Sequence, residues 1–332
     1  MNRYKRLAAG LGILSVIALT GSILSHAADN AAFLKNASLE NGFLRLSVEQ
    51  DARQGEYLKF RLDTTGGQVR TDKDDQKNLT YRNYYTGYTT LNINGTDYVY
   101  GRGTDTSEPA FDPEQSCHVS SQKFGDVEVQ QTLTFAEGYT VGYHDMLKIS
   151  YKVLSASDTD TVGVRILLDP AIGTDDALRL TANSVPVKNE TVFREQLPSE
   201  WRAAWSSDDT VSAYGKIDPQ QTPAPSALML ANWDKLYDAQ WNCTPDIKEP
   251  ITDAAAAIRW DPVSEPAQKE FTAFYGIRNS ANVEGDGSND SELTGPETGN
   301  AFPVRTVMLA AVTLLSAAGC AVLGRKGRKH EN

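Results

Sequence analysis

Several scarcities narrow this sequence before any motif is read. Cysteine occurs three times in 332 residues. There is no Cys-x-x-Cys, so a structural zinc site lacks its usual ligands and any disulfide is limited to a single bridge. Histidine occurs four times, and no Ser-His-Asp arrangement, glycine-rich phosphate loop or zinc-hydrolase signature is present. Positive charge is also short, with 32 Lys+Arg against 43 Asp+Glu and a net charge of −11. Arg3, Lys5 and Arg6 at one end, and Arg305, Arg325, Lys326, Arg328 and Lys329 at the other, take eight of those cations. The same ends hold one acid, Glu331, which leaves 24 basic and 42 acidic residues between them and a net of −18. A body that acidic repels nucleic acid and anionic membranes, and no basic run offsets it, so nucleic-acid binding is excluded.

Helix-favouring runs are sparse between the ends, where Thr, Tyr, Val, Asn, Asp and Gly recur. Hydrophobic residues make up 40% and charged residues 23%, enough apolar content to bury a core. Alternation dominates: Leu44, Leu46 and Val48; Leu58, Phe60 and Leu62; Val127 to Phe135; Leu147, Ile149, Tyr151 and Val153; Val162, Val164, Ile166 and Leu168; Ala256 to Trp260. A period of two means strands with one face buried and one wet. Asn94-Gly95, between Thr89–Ile93 and Thr96–Tyr100, predicts a type I′ hairpin, because both turn residues must take positive φ. The expected fold is all-β, a large antiparallel β-sandwich over residues 30–278. Two smaller sandwiches with a boundary near Ser155–Asp160 are the alternative.

The ends carry an address. Residues 1–27 have a basic start, an uncharged run from Leu7 to Ile23 and small residues at Ser25-His26-Ala27. That order predicts a signal helix cut by signal peptidase, with an uncleaved anchor as the alternative. Residues 306–324 hold no charge and match the roughly 20 residues of a transmembrane helix. Four cations follow and hold that end in the cytoplasm before processing. Residues 279–295 are small, polar and acidic, and predict a flexible stalk. Between stalk and helix stands Gly295-Pro296-Glu297-Thr298-Gly299. Here residues 296–332 resemble the sorting signal of Gram-positive cell-wall proteins, Leu-Pro-any-Thr-Gly before an apolar span and a basic tail. The resemblance implies that sortase cuts between Thr298 and Gly299 and joins the chain to peptidoglycan; Gly295 departs from the usual Leu. A plain single-span membrane protein is the other reading.

Within the body, Asp63-Thr64-Thr65-Gly66-Gly67, Tyr88 to Gly95, Asp126 to Leu133, Val164 to Asp169 and Asn232-Trp233 through Trp241-Asn242 resemble, in their order, a group of exported β-sandwich proteins from Gram-positive anaerobes. The resemblance implies fold and location, with an outline like the supersandwich of carbohydrate-active proteins, and no activity. Sugar epimerases of that outline use a histidine pair with a carboxylate base, a role open to His118 and His144 with Asp126 or Glu128. Asp169, Asp175 and Asp176 form one candidate Ca²⁺ loop, and Asp72 to Asp75 another; no other cofactor is expected. Trp201 and Trp205, on a short helical turn with both rings on one face, form a candidate carbohydrate platform. Cys117 and Cys243 are the candidate disulfide, or two unpaired thiols. The expectation is an extracellular surface module that binds or has a structural role without catalysis, with an unknown surface ligand for which a glycan is the candidate. The alternative is a carbohydrate-binding or carbohydrate-modifying supersandwich protein.

Overall fold

A computed structural model describes residues 38–53, 55–65, 77–81, 84–112, 114–138, 142–173, 177–205 and 211–279. The predicted signal segment, the predicted stalk beyond Asn279, the sorting residues Pro296, Glu297, Thr298 and Gly299, and the apolar span 306–324 lie outside them. Among the described residues no helix is long and apolar enough to cross a membrane.

Strands dominate, and every strand pairing is antiparallel. A small sheet orders β1 (Ser38–Glu40), β2 (Leu44–Val48) and β3 (Phe60–Thr64) in sequence. A six-stranded sheet contains β4 (Tyr88–Ile93), β5 (Thr96–Val99), β10 (Thr161–Leu168), β13 (Thr191–Phe193), β16 (Ala227–Asn232) and β17 (Ala254–Ser264), ordered β13-β16-β17-β10-β4-β5. A nine-stranded sheet takes β6 (Thr104–Asp112), β7 (Cys117–Phe124), β8 (Val127–Ala136), β9 (Met146–Ser155), β11 (Arg179–Ala182), β12 (Val185–Val187), β14 (Glu200–Ala204), β15 (Val211–Lys216) and β18 (Glu270–Asn279). Its order is β12-β11-β14-β15-β18-β9-β8-β7-β6. The Asn94-Gly95 hairpin forms as expected, with φ of 53° and 82°.

One core joins the sheets. Leu44, Leu46 and Leu62 of the small sheet, Val164 and Trp260 of the six-stranded sheet, and Leu133, Ile149 and Phe271 of the nine-stranded sheet belong to the same buried cluster. In β8 burial alternates without interruption along the strand, as a half-wet strand requires. Strands β9 and β10 sit in different sheets, and each large sheet mixes early and late strands. No boundary therefore divides the body at Ser155–Asp160, which corrects the two-sandwich alternative.

The six-stranded sheet is buried on both faces. Its second face holds Tyr88, Leu167, Met229, Ala255 and Ala257, packed against Leu236 and Cys243. Leu236 comes from α1 (Trp233–Asp238), and the small alanines let this short helix approach the strands. Gly163 serves the same end: a Cβ there would lie 2.7 Å from the Trp241 ring. Arg165, expected on a wet face, is instead wholly buried, and its Nη2 donates to the Leu236 carbonyl at 2.7 Å. Burial depresses its pKa. Tyr88 donates its hydroxyl to the next carbonyl, Tyr237. Two sheet side chains thus satisfy carbonyls at the end of α1 that the helix itself leaves unpaired.

The chain returns from α1 along a strap, residues 246–253, that Asn232 fastens. Asn232 Oδ1 accepts from the amides of Thr252 at 2.8 Å and Asp253 at 3.1 Å. Its Nδ2 donates to Glu190 Oε1 at 3.1 Å and to the Pro250 carbonyl at 3.0 Å. Buried Glu190 accepts in turn from the Asp246 amide at 2.9 Å.

Candidate functional site

The structure separates most of the residues that sequence reasoning grouped. Trp201 lies on strand β14, not on a helical turn, and its ring is fully buried, stacked on Tyr275 with centroids 5.7 Å apart. It offers no exposed face to a sugar. A spacing of four residues puts two side chains on one face of a helix and equally on one face of a strand, and here the strand is realised. Trp205, just past β14, is partly buried against the same core, and its carbonyl accepts from Arg179.

Cys117 and Cys243 are both free and buried, which corrects the candidate disulfide. Cys117 is on β7 with its side chain opposite in direction to inward-facing His118, while Cys243 covers the outer face of the six-stranded sheet. The sandwich lies between them, and stacked sheets alone are about 10 Å apart.

His118 and His144 do not form a pair. His118 faces the core, fully buried, edge-on to Phe111 at 4.8 Å, with Nε2 3.4 Å from Gln50 Nε2. Burial lowers its pKa to about 4. His144 is exposed ahead of β9. His118 opposes Leu133 and Leu133 opposes Ile149, so the two histidines stand two strands and five residues apart, roughly 19 Å. Glu128 points to the other face of the sheet and accepts from Thr106 Oγ1 at 2.6 Å. Asp169 is buried, whereas Asp175, Asp176 and the loop from Asp72 to Asp75 lie outside the described residues. Among the described residues, no group of three or more His, Cys, Asp or Glu side chains is placed to hold a metal ion.

Of the concavities among the described residues, two lie along the nine-stranded sheet. One, of about 500 Å³, lies beside β6, lined by Gln50, Tyr57, Asp105 and Glu108 among others. Asp105 there accepts from Tyr57 at 2.7 Å and from Gln122 at 2.7 Å. Burial, then the Asp105 carboxylate, push the Tyr57 phenol well above its ordinary pKa.

The other, of about 630 Å³, opens at the far end of the nine-stranded sheet. Strand register builds it. Arg179 opposes Ala204, which opposes Ser212; in the next row Thr181 opposes Arg202. The short Ala204 side chain leaves a depression between Arg179 and Ser212. Lys188, Pro186, Val187 and Ile251 wall the opening. Among the described residues, the charged ones lining it are Arg179, Lys188 and Arg202, with no carboxylate or histidine. Arg202 donates to Glu200 at 2.6 Å, and Glu200 is shared with Arg278 and Tyr214 behind the cleft. Burial first, then Glu200, raise the Tyr214 pKa to about 12. Arg179 gives Nε and Nη2 to the Trp205 carbonyl at 3.2 and 2.9 Å. Neither Arg179 nor Lys188 has a carboxylate partner among the described residues.

The turn above the cleft is strained. Asn183 and Ser184 join β11 to β12 with φ of 46° and 65°, the I′ geometry that glycine fits best at the second position. Ser184 holds it and accepts from Arg202 Nη2 at 3.3 Å. Sequence reasoning missed this group, because its cations come from separate strands and Asn-Ser is a weak turn signal.

No family model matches the chain, and no curated protein does. Among solved structures, the chain is similar to one described as a heparan sulfate lyase HepC mutant from Pedobacter heparinus, at 9% identity and a TM-score of 0.39. The match covers 71% of this chain and 33% of that chain.

Proposed function

We propose that the chain is an exported, surface-displayed binding module that holds its ligand in the cleft between β11, β12, β14 and β15. The observation that carries this reading is the makeup of the cleft: cations and hydroxyls able to hold a ligand, with no histidine or carboxylate among the described residues that line it. General acid–base chemistry needs such a group within hydrogen-bond reach of the reacting atom. The distance between His118 and His144 also speaks against a histidine-based sugar-modifying site. A displayed module needs an anchor, and the apolar span 306–324 with its basic tail and Pro296-Glu297-Thr298-Gly299 supplies one through sortase and peptidoglycan.

Two experiments test the reading. Thr298→Ala is expected to move the protein from the wall fraction to the membrane fraction; unchanged wall linkage would remove sortase from the account. The full-length protein is expected to retain soluble glycans or peptides from a mixed array, and to lose them when Arg179 and Lys188 are both replaced by Gln. An array that stays blank would overturn the binding function.

A further inference from the structure

We infer that this cleft takes a saccharide bearing carboxylate groups, an oligouronate by chemical class; the inference rests on the cleft being the ligand site. The body carries a net charge of −18, yet among the described residues the cleft is lined by three cations and no acid, and only Arg202 has a carboxylate partner, Glu200. Two of them, Arg179 and Lys188, are exposed and lack a carboxylate partner among the described residues. With acids so abundant, cations left unpaired side by side are available to an anion from outside. At physiological salt, charge acts over about 8 Å, so the nearby cations outweigh the acidic surface farther off.

Geometry refines the charge argument. Arg179 and Arg202 occupy diagonal positions on neighbouring strands, about 7–8 Å apart at Cβ or somewhat less. Arg179 keeps Nη1 beyond the two donors it gives the Trp205 carbonyl, and the exposed Lys188 stands just past the end of neighbouring β12, so these two are the cations open to a carboxylate, with Arg202 held by Glu200. Thr181 and Ser184 offer hydroxyls to the hydroxyls of a sugar, and Pro186 and Ile251 offer apolar surface to its C–H faces. The strained Ser184 fits the same picture. A glycine would ease the turn, but it would remove the hydroxyl that accepts from Arg202, whose Nη2 also donates to Glu200. An acidic peptide is disfavoured. A peptide is gripped best by strand addition, and the edge strand here is three residues long with Pro186 lacking a donor.

The test is calorimetry on the full-length protein with hexagalacturonate, a neutral galactose hexamer and hexaglutamate. Hexagalacturonate is expected to bind at least about ten-fold more tightly than the neutral hexamer. The exposed double variant Arg179→Gln/Lys188→Gln is expected to abolish that preference with an unchanged melting profile. Equal binding of both hexamers, weakened in the double variant, would overturn the acidic class and leave the cleft as the ligand site. Tight hexagalacturonate binding untouched by the double variant would overturn the cleft itself. Binding of hexaglutamate alone, or of none of the three probes, would overturn the saccharide.

Discussion

Asp145 lies buried just before β9, its Oδ1 without a hydrogen-bond partner among the described residues, and burial lifts its pKa to about 7. A carboxyl whose pKa rises on folding holds its proton more tightly in the native state. Its stabilising effect is complete below the unfolded value near 4 and is lost as pH rises through about 7. His118 has the opposite sign. With its pKa lowered to about 4, it favours the native state above the unfolded value near 6.5, and that support is lost as pH falls toward 4. The two effects oppose each other between those limits, so the clean window for Asp145 lies above pH 6.5. Urea denaturation is expected to show stability falling from pH 6.5 to 8 in the native sequence and staying flat in Asp145→Asn. At Gly215 an added Cβ would collide with the Trp201 indole. Gly215→Ala is therefore expected to cost about 2 kcal/mol, read from the urea midpoint. Alternation in the sequence correctly placed Val164, Ile166 and Leu168 in the core. It misplaced Arg165, because a period of two gives the second face without saying whether water or a helix covers it.

The short helix and its strap depend on donors from the sheet rather than on helix length. Six residues are too few to hold a helix alone. Asn232→Ala removes acceptors from Thr252 and Asp253 and a donor from buried Glu190. The expected cost is about 2 kcal/mol, with faster amide exchange confined to residues 246–253. In the β11–β12 hairpin, Ser184→Gly relieves a left-handed serine and is expected to stabilise the protein by about 1 kcal/mol in thermal melts, while weakening ligand retention. The two hairpins also show what a sequence discloses. Asn94-Gly95 was readable because glycine announces positive φ. Asn183-Ser184 adopts a similar turn without that marker, and with it went any view of the cleft below. Trp201 and Trp205 misled for a related reason, since their spacing serves helix and strand alike.

Across the whole molecule, chain order and sheet order are interleaved. Strands β4 and β5 complete a sheet with β10, β13, β16 and β17, and β6 to β9 complete another with β11, β12, β14, β15 and β18. The body is expected to unfold in one cooperative step, with calorimetric and van't Hoff enthalpies equal. Residues 30–157 and 158–278 made separately are expected to lack near-UV dichroism, because each half leaves both sheets open. The all-β class was legible because it needs only local period and turn residues. The pairing of distant strands was not, and both the cleft and the separation of the two cysteines follow from that pairing.

A sheet nine strands wide has two rims, and both contain a proline: Pro109 on β6, whose register is twice interrupted, and Pro186 on the three-residue β12. Exposed rims ordinarily recruit neighbours by backbone pairing, and prolines and bulges refuse them. Even at high local density, copies of such a molecule stay discrete instead of zipping into fibres.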